Sequence, residues 1–296
     1  MHAPTGSHRS DSPMATRLIA VLVALALGFT AVACSSSTSS SQAEDTTSTT
    51  SIPVSPYATT IATVKGRSIT VLERDPANPT SNSATVPSTS ASTLPPIPRS
   101  SLNSAGVKKV DAGFEFSNPT YFRNPLVFDV IEKQGDWLKV LIPVRPNHTV
   151  GWVKASEVAL TTTEFRFQLE LSTFHLTVFK GAEVFLETDV VIGRENTPTP
   201  TGRFYLLEKI KQNDPNGVYG TWILATNGYS EALDSFNGGL PVIAFHGTNQ
   251  PQLIGTRSSN GCVRMPNDVA DRLATAVPAG APIDIVEVAP STQSNL

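Results

Sequence analysis

In the stretch Phe165-Arg166-Phe167-Gln168-Leu169-Glu170-Leu171, apolar and polar side chains alternate strictly. Successive side chains of a β-strand point to opposite faces, so this period of two predicts a strand with one buried face. Further strand patterns follow it, each bounded by turn residues. They cover residues 176–179, 184–192, 204–210, 221–224, 241–245 and 282–286.

One helix interrupts this series of strands. It is predicted to begin at Pro266-Asn267-Asp268 and to place Val269, Leu273 and Val277 on one face. Residues 162–288 are therefore predicted to form a β-sandwich with one packed helix, within a mainly β chain.

A second β-rich unit precedes this one, at 57–160. Its short strands predict a small β-barrel, with an insertion rich in Pro, Ser and Thr near 74–106. We expect Trp137 and Trp152 to pack in its core. His148, in the polar turn Arg145-Pro146-Asn147-His148, is expected to be solvated.

The function of the barrel stays open at this point. Gly135-Asp136-Trp137 and Gly151-Trp152-Val153 resemble the Src-homology-type barrels of bacterial wall-associated proteins. The sequence allows the barrel either to bind wall peptide or to brace its neighbour.

The first 33 residues have the features of a lipoprotein signal peptide. Arg9 and Arg17 flank the apolar run Leu18–Val32, whose fifteen residues are fewer than the roughly 20 needed to span a bilayer. Cleavage before Cys34 would expose that residue for lipid attachment, and an uncleaved anchor helix is the alternative. A Ser/Thr-rich linker is predicted at 34–56 and a tail at 289–296. The protein is therefore expected outside the cytoplasm, held to the membrane and facing the cell wall.

The charge of the chain excludes one class of partner. Without the leader, it has 20 basic and 24 acidic residues. This acidic balance argues against a broad nucleic-acid-binding surface.

Cys262 is the candidate nucleophile. Cys34 is the only other cysteine, so Cys262 has no evident disulfide partner although the leader sends it to an oxidising compartment. It lies sixteen positions after His246, the candidate base. An ion pair with His246, and the cation of Arg264, are expected to lower the pKa of the thiol.

Neighbouring residues supply the other requirements of a cysteine enzyme. Gly261 permits close approach of a substrate, and the local N–H groups can face a developing oxyanion. Arg264 can alternatively hold a substrate carboxylate. Ser259 and Asn260 are candidates to orient the substrate or the thiol.

Other chemistries fit less well. Zinc at Cys262 and His246 would need further ligands, and none stands at ligand spacing, so we predict neither metal nor cofactor. A serine hydrolase would require a Gly-x-Ser-x-Gly turn, which the sequence lacks. His175 lies in a strand pattern and is expected to occupy a sheet position.

Three segments together resemble the L,D-transpeptidase catalytic domain of the YkuD type. They are Thr199-Pro200-Thr201-Gly202-Arg203-Phe204, His246-Gly247 and Ser259-Asn260-Gly261-Cys262-Val263-Arg264-Met265. The resemblance implies a β-sandwich, Cys262 as nucleophile, His246 as base, and the amides of Gly261 and Cys262 near the oxyanion. Many members carry histidine where Asn260 stands. The leader and barrel are similar to actinobacterial members that cross-link peptidoglycan.

The resemblance also implies a reaction. The substrate would be a peptidoglycan tetrapeptide stem ending in D-alanine, and carbapenem β-lactams would inhibit the enzyme. An amine of a second stem as acceptor gives a cross-link, whereas water gives a carboxypeptidase. A non-catalytic wall-binding lipoprotein is the alternative from another class.

Overall fold

Two eight-stranded β-sheets, one after the other in sequence, make up most of the described chain. The computed structural model describes residues 55–78 and 106–288. The predicted leader with Cys34, most of the linker, residues 79–105 of the insertion and the tail lie outside the described residues.

The first sheet is antiparallel throughout, in the order β3-β4-β2-β7-β6-β5-β1-β8. Alternation creates its core: in β2, Ile69 and Val71 are buried, whereas Ser68 and Thr70 are exposed. Trp152 is also buried, whereas Trp137 is half-buried beneath the ammonium group of Lys154. The strands are β1 (Thr59–Val64), β2 (Ser68–Leu72), β3 (Val107–Val110), β4 (Gly113–Ser117), β5 (Val127–Gln134), β6 (Trp137–Leu141), β7 (Val150–Lys154) and β8 (Val158–Thr163).

The second sheet has the order β11-β10-β9-β18-β13-β14-β15-β17, and a two-stranded parallel sheet, β12-β16, lies apart from it. Two of its pairs, β9–β18 and β15–β17, are parallel. The strands are β9 (Phe165–Glu170), β10 (His175–Lys180), β11 (Glu183–Asp189), β12 (Ile192–Gly193), β13 (Gly202–Lys211), β14 (Trp222–Tyr229), β15 (Val242–His246), β16 (Arg257–Ser259), β17 (Val263–Arg264) and β18 (Pro282–Val286).

The helix α1 (Asn267–Ala276) packs on the second sheet through Ala270, Leu273 and Ala274, all buried. The last carbonyl groups of this helix would otherwise lack hydrogen-bond donors. Lys209 of β13 supplies them: Nζ lies 2.7 Å from the Ala274 oxygen and 3.0 Å from the Val277 oxygen.

These observations confirm a mainly β fold with a single α-helix in the described residues. The likeness of the first sheet to a Src-homology-type barrel stays a prediction. No helix within 55–78 or 106–288 is long and apolar enough to span a membrane.

The two sheets meet at a mixed interface. Ile61, Val127, Leu141 and Val150 of the first sheet form an apolar cluster with Tyr205 of the second. Beside it, Asp129 is fully buried, and its Oδ2 lies 2.9 Å from Nε of Arg203. Burial raises the pKa of Asp129 to about 6, although Arg203 opposes this shift.

His148 does not occupy the solvated position that the sequence predicted. Its ring is buried against Phe204, with 4.9 Å between the ring centroids. Glycine at 202 makes this contact possible, because a Cβ there would lie 2.3 Å from His148 Nε2. The turn that carries His148 therefore packs on the second sheet, and burial lowers the pKa of the imidazole.

Asp129→Asn is expected to change how stability depends on pH. A folded-state pKa of about 6, against 3.8 ordinarily, means that the carboxylic acid form favours folding. That contribution is present below pH 3.8 and is lost as the pH rises through 6. As the pH rises from 4 to 7, the free energy of unfolding of the variant should therefore increase relative to that of wild type by on the order of 3 kcal/mol. Urea unfolding at each pH measures this difference. The exposed Asp136→Asn is the control, and equal pH profiles for all three proteins would contradict the assignment.

Candidate active site

Two neighbouring parallel strands of the second sheet, β15 and β17, position His246 and Cys262. Phe245 pairs with Val263, and His246 pairs with Arg264. Cys262 directly precedes β17 and donates its S–H to the carbonyl oxygen of Val242, 3.7 Å from Sγ. The thiol and the imidazole predicted from sequence thus lie on adjacent strands.

The hydrogen bond of His246 determines its tautomer. The ring is buried, and Nδ1 lies 2.6 Å from the carbonyl oxygen of Gly247. A carbonyl oxygen can only accept, so Nδ1 carries the proton and Nε2 is left as a free base. Tyr219 packs edge-on to the ring at 5.1 Å between centroids.

The imidazole is neutral at neutral pH. Burial is the largest cause that lowers the pKa of His246 to about 4, and the positive charge of Arg264 lowers it further. The bond to Gly247 opposes these effects but does not offset them. His246 is therefore ready to accept a proton.

The thiol of Cys262 is also neutral at rest. Part of the residue is accessible to solvent, but the protein around the sulfur raises the pKa of the thiol by desolvation. The backbone of Ala244 and the charge of Arg264 lower this pKa by less than burial raises it. The expected ion pair between Cys262 and His246 is therefore wrong for the resting site, because desolvation outweighs the nearby cation.

Ser259 holds the turn that carries the nucleophile. Its buried Oγ accepts the N–H of Gly261 at 3.1 Å and donates to the carbonyl oxygen of Cys262 at 2.5 Å. Gly261 has a φ of 113°, a conformation that favours glycine. The Gly261 amide is thus already bonded, contrary to its predicted place at an oxyanion, and the amide of Cys262 remains as the donor of that predicted pair.

A second set of side chains supports this turn from the segment 194–199. Thr199 Oγ1 donates to the carbonyl oxygen of Gly261 at 2.9 Å and accepts the N–H of Gly193 at 2.9 Å. The guanidinium group of Arg194 donates to the carbonyl oxygen of Ser259 at 3.2 Å and to Asn260 Oδ1. Asn260 is thereby engaged by Arg194. Sequence reasoning did not assign Arg194 or Thr199 a role, although Thr199 opens the first of the resembling segments.

Two further predicted residues have structural contacts. Arg264 is half-buried, and its Nη1 donates to Gln250 Oε1 at 3.2 Å. Gly247 lies so close to Asn267 that a Cβ would be 2.1 Å from Oδ1 of that side chain. His175 lies outside the site, on β10, with Nδ1 2.9 Å from Asp189 Oδ1. In the part of the chain that the structure describes, no group of three or more His, Cys, Asp or Glu residues could hold a metal ion.

Comparison with protein families shows which known domain these residues resemble. Residues 165–285 match the YkuD family, described as the L,D-transpeptidase catalytic domain. This stretch of the chain is therefore similar to an L,D-transpeptidase catalytic domain of the YkuD type. Cys262, His246 and the turn around them all lie within it.

Proteins similar to this part of the chain occur in several bacteria. YkuD of Bacillus subtilis (strain 168), named as an L,D-transpeptidase, is 27% identical over 170 residues, which are 52% of this chain and 95% of the relative. The solved catalytic domain of an Enterococcus faecium L,D-transpeptidase is 24% identical, with 41% of this chain and 96% of that one covered and a TM-score of 0.32. An L,D-transpeptidase from Mycobacterium smegmatis is 19% identical, covering 53% of this chain and 80% of its own, with a TM-score of 0.34.

Proposed function

We propose that this protein is a peptidoglycan L,D-transpeptidase in which Cys262 is the nucleophile and His246 the base. One observation carries the proposal: a partly accessible thiol directly precedes the strand that pairs with β15, and β15 ends in a neutral imidazole whose Nε2 is unprotonated. That arrangement allows a cysteine to be deprotonated as it attacks a carbonyl.

In the first half-reaction, Sγ of Cys262 attacks the carbonyl between the L-centre of the stem's diamino acid and the terminal D-alanine. His246 takes the thiol proton at Nε2, and the amide of Cys262 donates to the oxyanion. The imidazolium then returns that proton to the leaving amine. The C–N bond breaks, D-alanine departs and a thioester forms on Cys262.

In the second half-reaction, a side-chain amine of another stem attacks the thioester. His246 accepts a proton from this amine and returns it to the sulfur, so the thiol is restored as the new amide forms. No ATP is needed, because one amide is exchanged for another. Water in place of the amine would release a tripeptide and make the same site a carboxypeptidase.

The location of the protein forms part of the proposal and is supported by sequence alone. A leader at 1–33, lipid on Cys34 and a flexible linker at 34–56 would hold the domain at the outer face of the membrane, within reach of the wall. An acceptor amine is abundant there, which favours cross-linking over hydrolysis.

Purified peptidoglycan stems test the proposal directly. We expect the protein to convert a disaccharide tetrapeptide into free D-alanine and a cross-linked dimer, identified by mass spectrometry. A tripeptide without dimer would assign a carboxypeptidase. No product in the presence of a folded protein would favour a non-catalytic wall-binding role.

Ser259→Ala tests whether the turn must be held. Loss of both hydrogen bonds releases the backbone of Gly261 and Cys262, and misplacement of this kind costs up to roughly 100-fold in rate. We expect kcat/KM for D-alanine release to fall about 10- to 100-fold, while the protein remains folded. Ser258→Ala is the matched control, since Ser258 bonds Thr256 instead of the turn. Equal kinetics for the two variants would remove Ser259 from the site.

A further inference from the structure

The loop 230–241, which joins β14 to β15, leads directly into the active site. Its ends are closed by a hydrogen bond from Ser230 N to the carbonyl oxygen of Pro241, 2.8 Å long. The next carbonyl, that of Val242, accepts the Cys262 thiol, and the same strand ends at His246. A shift of this loop would therefore move both the environment of the sulfur and the strand that carries the base.

Arg145, in the segment that connects β6 to β7 of the first sheet, binds this loop. Its side chain is buried, and Nη2 donates to the carbonyl oxygens of Ser230 at 3.1 Å and Leu233 at 2.8 Å. Nη1 donates to the carbonyl oxygen of Asp234 at 3.2 Å. A planar guanidinium can satisfy three converging carbonyls, whereas the single ammonium group of lysine cannot match that geometry.

Asn147, two residues later, fixes the start of the loop in a similar way. Its Oδ1 accepts the N–H of Tyr229 at 2.9 Å, and Nδ2 donates to the carbonyl oxygen of Tyr229 at 2.8 Å. The side-chain amide of Asn147 thus bonds both backbone groups of Tyr229, as a neighbouring strand would at the end of β14. The side chain of Tyr229 adds a second link between the two segments: its hydroxyl donates to the carbonyl oxygen of Pro143 at 2.8 Å.

Domain docking alone does not explain these contacts. The sheets are also joined by the Arg203–Asp129 pair and by Thr120, whose Oγ1 donates to Glu208 Oε2 at 2.6 Å. Neither contact involves the loop. Arg145, by contrast, makes none of the ion pairs found within 55–78 and 106–288 and directs its hydrogen bonds to loop backbone.

We propose that Arg145 and Asn147 are positioning residues for the transpeptidase site, and that the first sheet holds the 230–241 loop in its active conformation. The sequence left open whether this unit binds wall peptide or braces its neighbour, and the contacts favour bracing. The turnover readout of this inference rests on the proposed function, but the conformation of the loop can be measured independently of it.

The test compares Arg145→Ala and Arg145→Lys with two controls in the full chain. Thr120→Ala removes an interface bond away from the loop, and Arg67→Ala removes an exposed arginine of the first sheet. Hydrogen exchange of peptides covering 230–241 reports loop order, because the amides of Ser230, Phe236, Gly239 and Val242 are hydrogen-bonded. Steady-state D-alanine release from a tetrapeptide stem reports catalysis.

For Arg145→Ala we expect exchange in 230–241 to rise by about 10-fold or more, and kcat/KM to fall roughly 10- to 100-fold. Arg145→Lys should fold and show a smaller change of the same sign, while both controls match wild type in both readouts. Wild-type exchange or wild-type turnover in folded Arg145 variants would overturn the inference, as would equal effects from Thr120→Ala. Should the wild type itself release no D-alanine, the proposed function fails, and the exchange data alone still decide whether Arg145 orders the loop.

Discussion

Cys262→Ala is expected to abolish D-alanine release from tetrapeptide stems, with a loss of at least about 1,000-fold. The sulfur is the atom that would carry the acyl group, and no other thiol is present in the described residues. Cys262→Ser should retain at most a trace, because a hydroxyl is a far weaker nucleophile beside the same base. The measurement is D-alanine release at saturating stem.

Intact mass spectrometry provides a second measurement on Cys262→Ala, namely whether a carbapenem modifies the protein covalently. A carbapenem is expected to add its full mass to the wild-type protein, through ring opening by the Cys262 thiol, and to leave Cys262→Ala unmodified. Undiminished D-alanine release by the alanine variant would exclude Cys262 as the nucleophile. An adduct on that variant would place the reaction with the carbapenem elsewhere.

His246→Gln is expected to lower kcat for D-alanine release by roughly 100- to 10,000-fold, the range typical of a lost general base. The wild-type rate should fall on its acid limb near pH 4, because the pKa of the buried imidazole is lowered to about 4. Below that value His246 is protonated and cannot accept the thiol proton. The variant should lose this limb together with its activity.

His175→Gln is the matched control for His246→Gln. His175 lies on β10 beside Asp189, away from the thiol, so its replacement should leave the rate and the pH profile unchanged. An acid limb near the ordinary histidine pKa of 6.5 in wild type would contradict the neutral resting pair. Full activity of His246→Gln would remove the imidazole from the reaction.

Local sequence patterns were sufficient for the long strands and the helix of the second sheet. Alternation at 165–171 predicted β9, and the helix predicted from Pro266-Asn267-Asp268 is observed at Asn267–Ala276. These predictions succeeded because burial on one face imposes a period on the sequence. Several short strands were missed. Among them, β3 and β8 carry too few buried positions for a period to be recognised, and β16 and β17 are only three and two residues long.

Electrostatics and contacts between the sheets could not be predicted in the same way. The charge of Arg264 near Cys262 suggested a thiolate, but the pKa of the thiol depends on how much water the fold removes from the sulfur. His148 belongs to a polar turn and looked solvated, yet the second sheet covers it. The role of Arg145 likewise depends on carbonyls that lie 85 to 89 residues further along the chain.

The most direct measurement is intact mass spectrometry of the protein, acid-quenched during turnover of a tetrapeptide stem. We predict a mass increase equal to the stem minus D-alanine, mapped to Cys262, removed by hydroxylamine and absent from Cys262→Ala. D-Alanine release from wild type and Cys262→Ala at the same rate, with no adduct on Cys262, would contradict the account.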